Sequence, residues 1–245
     1  MNNQESHNST VLLRGAISGL NRSRRSHDFV LTEAQHLKVG ATAIAASVMG
    51  MGANAISLIN TAGNSDEEAD WVEFELDGKQ VKGWFWMMPM HDGDQVEVVA
   101  EQTSNNRYVA YAVKRNRDDL LAVYPHATAG RKVHYRKSAK IWIWCSILAY
   151  LIPIFFFILQ DGLKIFLDAN MRFGLLIVFP FWLILSALMG FRISRKLMGF
   201  VRIAELIFKT FGWPEIENID LRKTSREHRG ENKLSEFGNF YFRYK

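Results

Sequence analysis

The sequence predicts an α+β membrane protein: a small antiparallel β-barrel of OB-like or SH3-like size with an inserted helix, followed by a two-helix transmembrane hairpin. Three observations predict it. Two runs, Ile141 to Leu159 and Phe173 to Phe191, contain no charged side chain. Basic residues crowd the outer end of each run. Between residues 71 and 125, apolar and polar positions alternate in short stretches broken by turn residues.

The chain has 245 residues and a formal net charge of +5. Its mean hydropathy is only −0.08, so membrane segments require an uneven distribution, and residues 139 to 191 do hold the apolar mass. The opening "MNNQESHNSTVLL" lacks a basic stretch leading into a long apolar one, which predicts no cleaved secretory leader and a cytosolic start. Residues 1–10 read as a disordered N-terminus. The single cysteine, Cys145, excludes an intrachain disulfide and reads as a small buried hydrophobe.

A cytosolic barrel domain is expected over 11–130. "VLLRGAISGL" supplies its first strand, and residues 32–63 then form a helical insertion. There, "TEAQ" resembles a capping box with Thr32 as N-cap and Gln35 reaching back. The uncharged "VGATAIAASVMGMGANAISLINTAG", with Ala46 and Gly50 four apart, suits a helix packed on the barrel or a partner, or else a third, weakly hydrophobic membrane helix. In "WVEFELDGKQVKGWFW", Val72, Phe74 and Leu76 face one way and Glu73 and Glu75 the other, with Asp77-Gly78 as a type I′ turn. "VEVVAE", "RYVAYAVKR" and "DDLLAVYP" continue the strands. "SDEEAD", Ser65 to Asp70, reads as a solvated acidic linker.

The hairpin is expected over 139–191, with spans at 141–159 and 173–191. About twenty apolar residues cross a hydrocarbon core, and neither run shows the polar stripe of a soluble amphipathic helix. Pro153 and Pro180 are tolerated in lipid, and Trp142, Trp144, Tyr150 and Trp182 partly match an interfacial belt. Arg131, Lys132, Arg136, Lys137 and Lys140 precede the first span, and Arg192, Arg195, Lys196 and Arg202 follow the second. The connecting "QDGLKIFLDANMR" is nearly neutral, so the basic flanks and both termini belong in the cytoplasm. Residues 192–214 read as a basic amphipathic helix suited to an anionic leaflet, or as a stalk continuing the second span. Residues 215–245 read as a mobile polar tail whose "FGNFYFRYK" has aromatics enough to dock.

Catalytic and cofactor signatures are absent. "GMGANA" matches a dinucleotide fingerprint without its strand-turn-helix context, and "HDGD", His91 to Asp94, is read as a turn before a metal site. Ser26, His27 and Asp28 are adjacent in sequence, which is poor triad geometry. His126 and His134 lack helical ligand spacing. Trp84, Phe85, Trp86 and Tyr108 could stack bases on an OB-type face, but Glu73, Glu75, Glu97 and Glu101 oppose a phosphate-tracking groove. The expectation is a protein with no enzymatic activity, cofactor or metal, and with nucleic acid disfavoured.

The strands "DGDQVEVVAE" and "DDLLAVYPHATAGR", the basic segment after them and the paired spans, roughly residues 70 to 191, resemble a family of bacterial proteins labelled type VI secretion system effectors. The opening "LRGAISGL" is similar to that family's start. The resemblance implies a Gram-negative inner-membrane site and a part in interbacterial antagonism, and it transfers no active residue. A membrane-acting, non-enzymatic effector is the leading expectation. An immunity or accessory protein that binds a cognate toxin is the alternative, and a membrane-tethered nucleic-acid-binding module is third. The partners expected are the lipid bilayer, a toxin, immunity or secretion protein, and a second copy of the chain.

Overall fold

The alternation at Val72, Phe74 and Leu76 becomes the inward face of β2 (Glu67–Leu76), where all three side chains are buried in the barrel core. The turn that follows has φ of 49° at Asp77 and 79° at Gly78. Two consecutive positive φ angles make the type I′ hairpin that matches strand twist, and it delivers the chain into β3 (Lys79–Phe85). These elements come from the computed structural model of the chain, which describes residues 10–27, 29, 67–162, 169–228 and 236–244.

One long strand, β1 (Thr10–His27), serves two sides of the barrel. Its first part pairs with β4 (Gln95–Ser104) from Thr10 to Ala16, and its second with β2 from Ile17 to His27. The register slips between Ser18 and Asn21, where Gly19 takes a φ of 62°. A bulge with a left-handed glycine lets a strand turn a barrel corner.

After β4, a tight turn with Asn106 at φ 58° leads into β5 (Arg107–Arg115). Closure comes from β3 and β5, which pair in parallel from Gln80–Arg107 to Gly83–Ala110. The ring therefore runs β1-β2-β3-β5-β4 and back to β1. The all-antiparallel expectation is corrected at this one seam. Gly83 makes the seam close: a Cβ there would lie 2.6 Å from the carbonyl oxygen of Ala110.

The chain clusters into two units, Met1–Arg131 with Gly199–Lys245, and Lys132–Met198. In the first, β6 (Leu120–Val123) extends the sheet beside β5, and β7 (Phe242–Arg243) pairs with β6. The C-terminal residues are thus not a loose tail among those described. A 3-10 turn at Ile216–Asn218 precedes a short helix, Leu221–Glu227, whose N-cap Asp220 accepts from the Lys223 N–H. Phe237 and Phe242 are fully buried, and Phe237 packs with Leu120 and Tyr241.

The acidic run is also corrected. Glu67 to Asp70 belong to β2, and Asp70 is buried. Its carboxylate accepts from Arg24 at 3.0 Å and from the Met88 N–H at 2.9 Å, while the same guanidinium donates to the Trp86 carbonyl at 2.8 Å. A charge-assisted pair of this kind can sit inside because each partner is satisfied.

In the second unit, α1 (Arg131–Asp161) and α2 (Ala169–Lys196) carry the two apolar runs, with Pro153 and Pro180 inside them. Both helices are long and apolar enough to cross a membrane. The next helix, α3 (Met198–Thr210), returns to the first unit. Gly199, Phe200, Val201, Ile203, Ala204, Ile207 and Phe208 are buried on it, so its apolar face is spent on protein packing and is not free to lie on a leaflet. The boundary expected at residue 192 falls inside α2. The helical insertion at 32–63, the capping box at Thr32, the small-residue run around Ala46 and Gly50, and "GMGANA" lie outside the described residues.

Candidate membrane interface

The hairpin helices meet along a seam of small and polar side chains. His134 Nε2 stands 3.0 Å from Ser194 Oγ and 3.1 Å from the Ser194 carbonyl. Deeper along the pair, Ser146 Oγ donates to Ser186 Oγ at 3.1 Å, and the Trp182 indole N–H donates to the Ser146 carbonyl at 3.3 Å. Between these levels Gly190 faces the Trp142 indole. Farther on, the Tyr150 and Phe179 ring centroids are 4.7 Å apart. Ser186, Gly190 and Ser194 repeat every fourth residue on α2, the spacing that lets two helix backbones approach.

The outer surface is the reverse. Among the described residues, every exposed large apolar side chain lies between Tyr135 and Ile193, with Leu159 at 65 % and Phe181 at 69 %. Almost none of either span is buried. Exposed apolar patches on soluble monomers rarely exceed a few hundred Å².

The antiparallel register set by His134 and Ser194 brings the first turns of α1 and the last turns of α2 to one end of the hairpin. Lys132, Arg136, Lys137 and Lys140 are exposed on α1, and Arg192 and Arg195 on α2; Lys196 is the last residue of α2. The Arg195 guanidinium lies 5.8 Å over the Phe191 ring, a cation-π contact. Two residues of the expected collar are grouped with the first unit. Arg131 pairs with Glu205 at 3.3 Å and also with Glu217, and its backbone N–H donates to Glu205 at 2.9 Å. Arg202 is exposed on α3, in the other unit.

No family model matches the chain, and no curated protein and no solved structure matches it.

Several aromatic and thiol expectations change. Trp142 and Trp182 both belong to the seam: Gly190 faces the Trp142 indole, and the Trp182 N–H donates to the Ser146 carbonyl. Cys145 is exposed on the hairpin. His134, Ser146, Ser186 and Ser194 escape sequence reasoning because each looks like a lone polar residue. The four-residue spacing of Ser186, Gly190 and Ser194 is the signal that could have found them.

The barrel's other candidates resolve into structure. In "HDGD", Asp94 accepts from the His91 N–H at 2.9 Å and from Arg115 at 3.0 Å, and Asp92 accepts from the Leu20 N–H at 2.8 Å. Burial works against ionisation of Asp94, but these donors and the charges of Arg115 and Arg117 outweigh it and hold the carboxyl below its ordinary value. Among the described residues, no cluster of three His, Cys, Asp or Glu is placed to hold a metal. His27 stacks on Trp84 at 5.0 Å, and His126 approaches Glu67 at 2.6 Å between Trp86 and Phe200. Phe85 is in the core, Trp86 is buried, and Tyr108 packs against the core.

Proposed function

We propose that this chain is a two-span inner-membrane protein that anchors an OB-type barrel in the cytoplasm and acts by binding, without catalysis. The observation that carries the reading is the bare apolar surface of α1 and α2 with basic residues at one shared end. By the positive-inside rule that end is cytoplasmic, which puts both termini there as well. The strand ring with its parallel β3–β5 closure supports an OB-type assignment for the barrel.

Association with type VI secretion and interbacterial antagonism rests on the sequence resemblance. Within that setting, the seam favours binding over conduction. Ser146, Ser186 and the Trp182 indole pair with one another inside it, and the outward faces of both helices present apolar side chains. An immunity or accessory role, in which the barrel engages a cognate toxin, therefore suits the geometry better than a channel built from this hairpin. Nucleic acid stays disfavoured, since Trp84 is stacked on His27 and edge-packed by Trp71 and Phe29.

Expression of the chain alone, with membrane potential followed by a voltage-sensitive dye, tests the choice. Harmless expression that rescues cells from a neighbouring toxin is expected. Depolarisation with growth arrest would establish the effector instead.

A further inference from the structure

The geometry points to a binding site for one anionic glycerophospholipid in a notch beside the hairpin seam, at the end where the basic residues gather. The inference rests on the membrane reading above and adds a ligand to it.

The notch has a volume of about 160 Å³ and is bordered by Tyr135, Ser138 and Trp142 on α1 and by Gly190, Phe191 and Ser194 on α2. Its walls are mostly apolar, so a free anion in water gains little there. Its rim is cationic. Arg195 lies over the Phe191 ring that forms one wall. Arg136 is adjacent to Tyr135 and one turn before Ala139, another lining residue, which places it on the flank of that face of α1.

Neither helix carries an acid near that rim: residues 132–160 and 169–198 contain no Asp or Glu. The Trp142 indole N–H, which belongs to a lining residue, is buried without a hydrogen-bond partner. An unmet buried donor costs free energy. An ester or phosphate oxygen that reaches this N–H satisfies it. A molecule with an anionic head for Arg136 and Arg195, ester oxygens at the boundary and an acyl chain for the apolar walls fits all three features. Basic pockets between membrane helices on the cytoplasmic side select such headgroups.

Lys140 and Arg192 make the control. At about 100° per residue, Lys140 and Arg192 lie farther round their helices from the lining residues than Arg136 and Arg195 do. They contribute the same net charge to the same end of the hairpin without bordering the notch.

The full chain, solubilised in detergent and mixed with equal phosphatidylglycerol and phosphatidylcholine, can be examined by native mass spectrometry for retained lipid. Phosphatidylglycerol retention about tenfold above phosphatidylcholine is expected, undiminished by inorganic phosphate. R136Q/R195Q should lose the preference, and K140Q/R192Q should keep it. Equal loss in both pairs, displacement by inorganic phosphate, or no preference in the wild type would overturn the site. Flotation of the wild type with phosphatidylcholine vesicles separates the two levels: a chain that floats but shows no selectivity refutes the lipid site alone, and a chain that does not float refutes the anchoring and the site together.

Discussion

Gly190 and Trp142 set the distance between the two hairpin helices: a Cβ built on Gly190 would fall 2.9 Å from Trp142 Cδ1. A side chain there must push the indole or part the helices. Gly190→Leu is therefore expected to destabilise the pair by about 1–3 kcal/mol, the usual cost of overpacking. Thermal melting in detergent checks it, and Gly190→Ala should show a smaller loss because only one methyl must be accommodated.

The Ser146–Ser186 hydrogen bond makes a second, independent test of the seam. Ser146→Ala removes one hydroxyl and leaves Ser186 able to donate to the Leu183 carbonyl at 3.1 Å. The expected loss is about 0.6 kcal/mol, in line with polar pairs between membrane helices. Detergent melts of the single and double alanine variants should show non-additive losses.

Arg115 holds the β3–β4 connection to β5. It donates to Asp94 at 3.0 Å and to Asp118 at 2.7 and 2.9 Å, and its side chain is 5 % exposed. Arg115→Met leaves Asp94 buried without its main cation and is expected to cost about 3–5 kcal/mol, measured by denaturant unfolding.

The same cluster predicts an acid limit. Burial opposes ionisation of Asp94 and Asp118, yet the Arg115 hydrogen bonds and charge prevail, so both folded carboxyls titrate below their ordinary 3.8. Glu73 is lowered too, chiefly by its hydrogen bond from Lys82. A depressed folded pKa gives stability that is complete above the unfolded value and is lost as pH falls through the folded one. Barrel stability should be flat above about pH 5 and fall below about pH 4. Arg115→Met should flatten that fall.

Removing residues 236–245 should expose the outer edge of β6 and the surfaces that bury Phe237 and Phe242. An unpaired edge invites association with other chains. Truncation is expected to lower the melting temperature and to shift the chain towards aggregates in size-exclusion chromatography.

Some of this architecture is legible in the residues. The period-2 pattern at Val72, Phe74 and Leu76 and the dipeptide Asp77-Gly78 are local signals, and the two long apolar helices are legible because their composition alone marks them. The acidic start of β2 is not, because Asp70 is made tolerable by Arg24, far away in sequence. The apolar stripe of α3 reads equally well as lipid-facing or protein-facing, since periodicity cannot name the surface it meets. The parallel β3–β5 closure depends on the absence of a side chain at Gly83, where the Ala110 carbonyl comes close, and no pattern of alternation announces that. The seam residues were hidden for a related reason: a serine in an apolar run reveals its partner only when the register of two helices is known.

The orientation is open to reporter fusions. A cytoplasm-only reporter after Lys245 should be active, and so should a periplasm-only reporter placed within 161–171. The opposite pattern reverses the reading of the basic residues at the helix ends.

Alkaline extraction of bacterial membranes, followed by density flotation of the intact chain, tests the central claim most directly. The chain should resist extraction and rise with the lipid, leaving only when detergent is added. Recovery as a monodisperse species in detergent-free buffer, with no lipid-bound fraction, would contradict it.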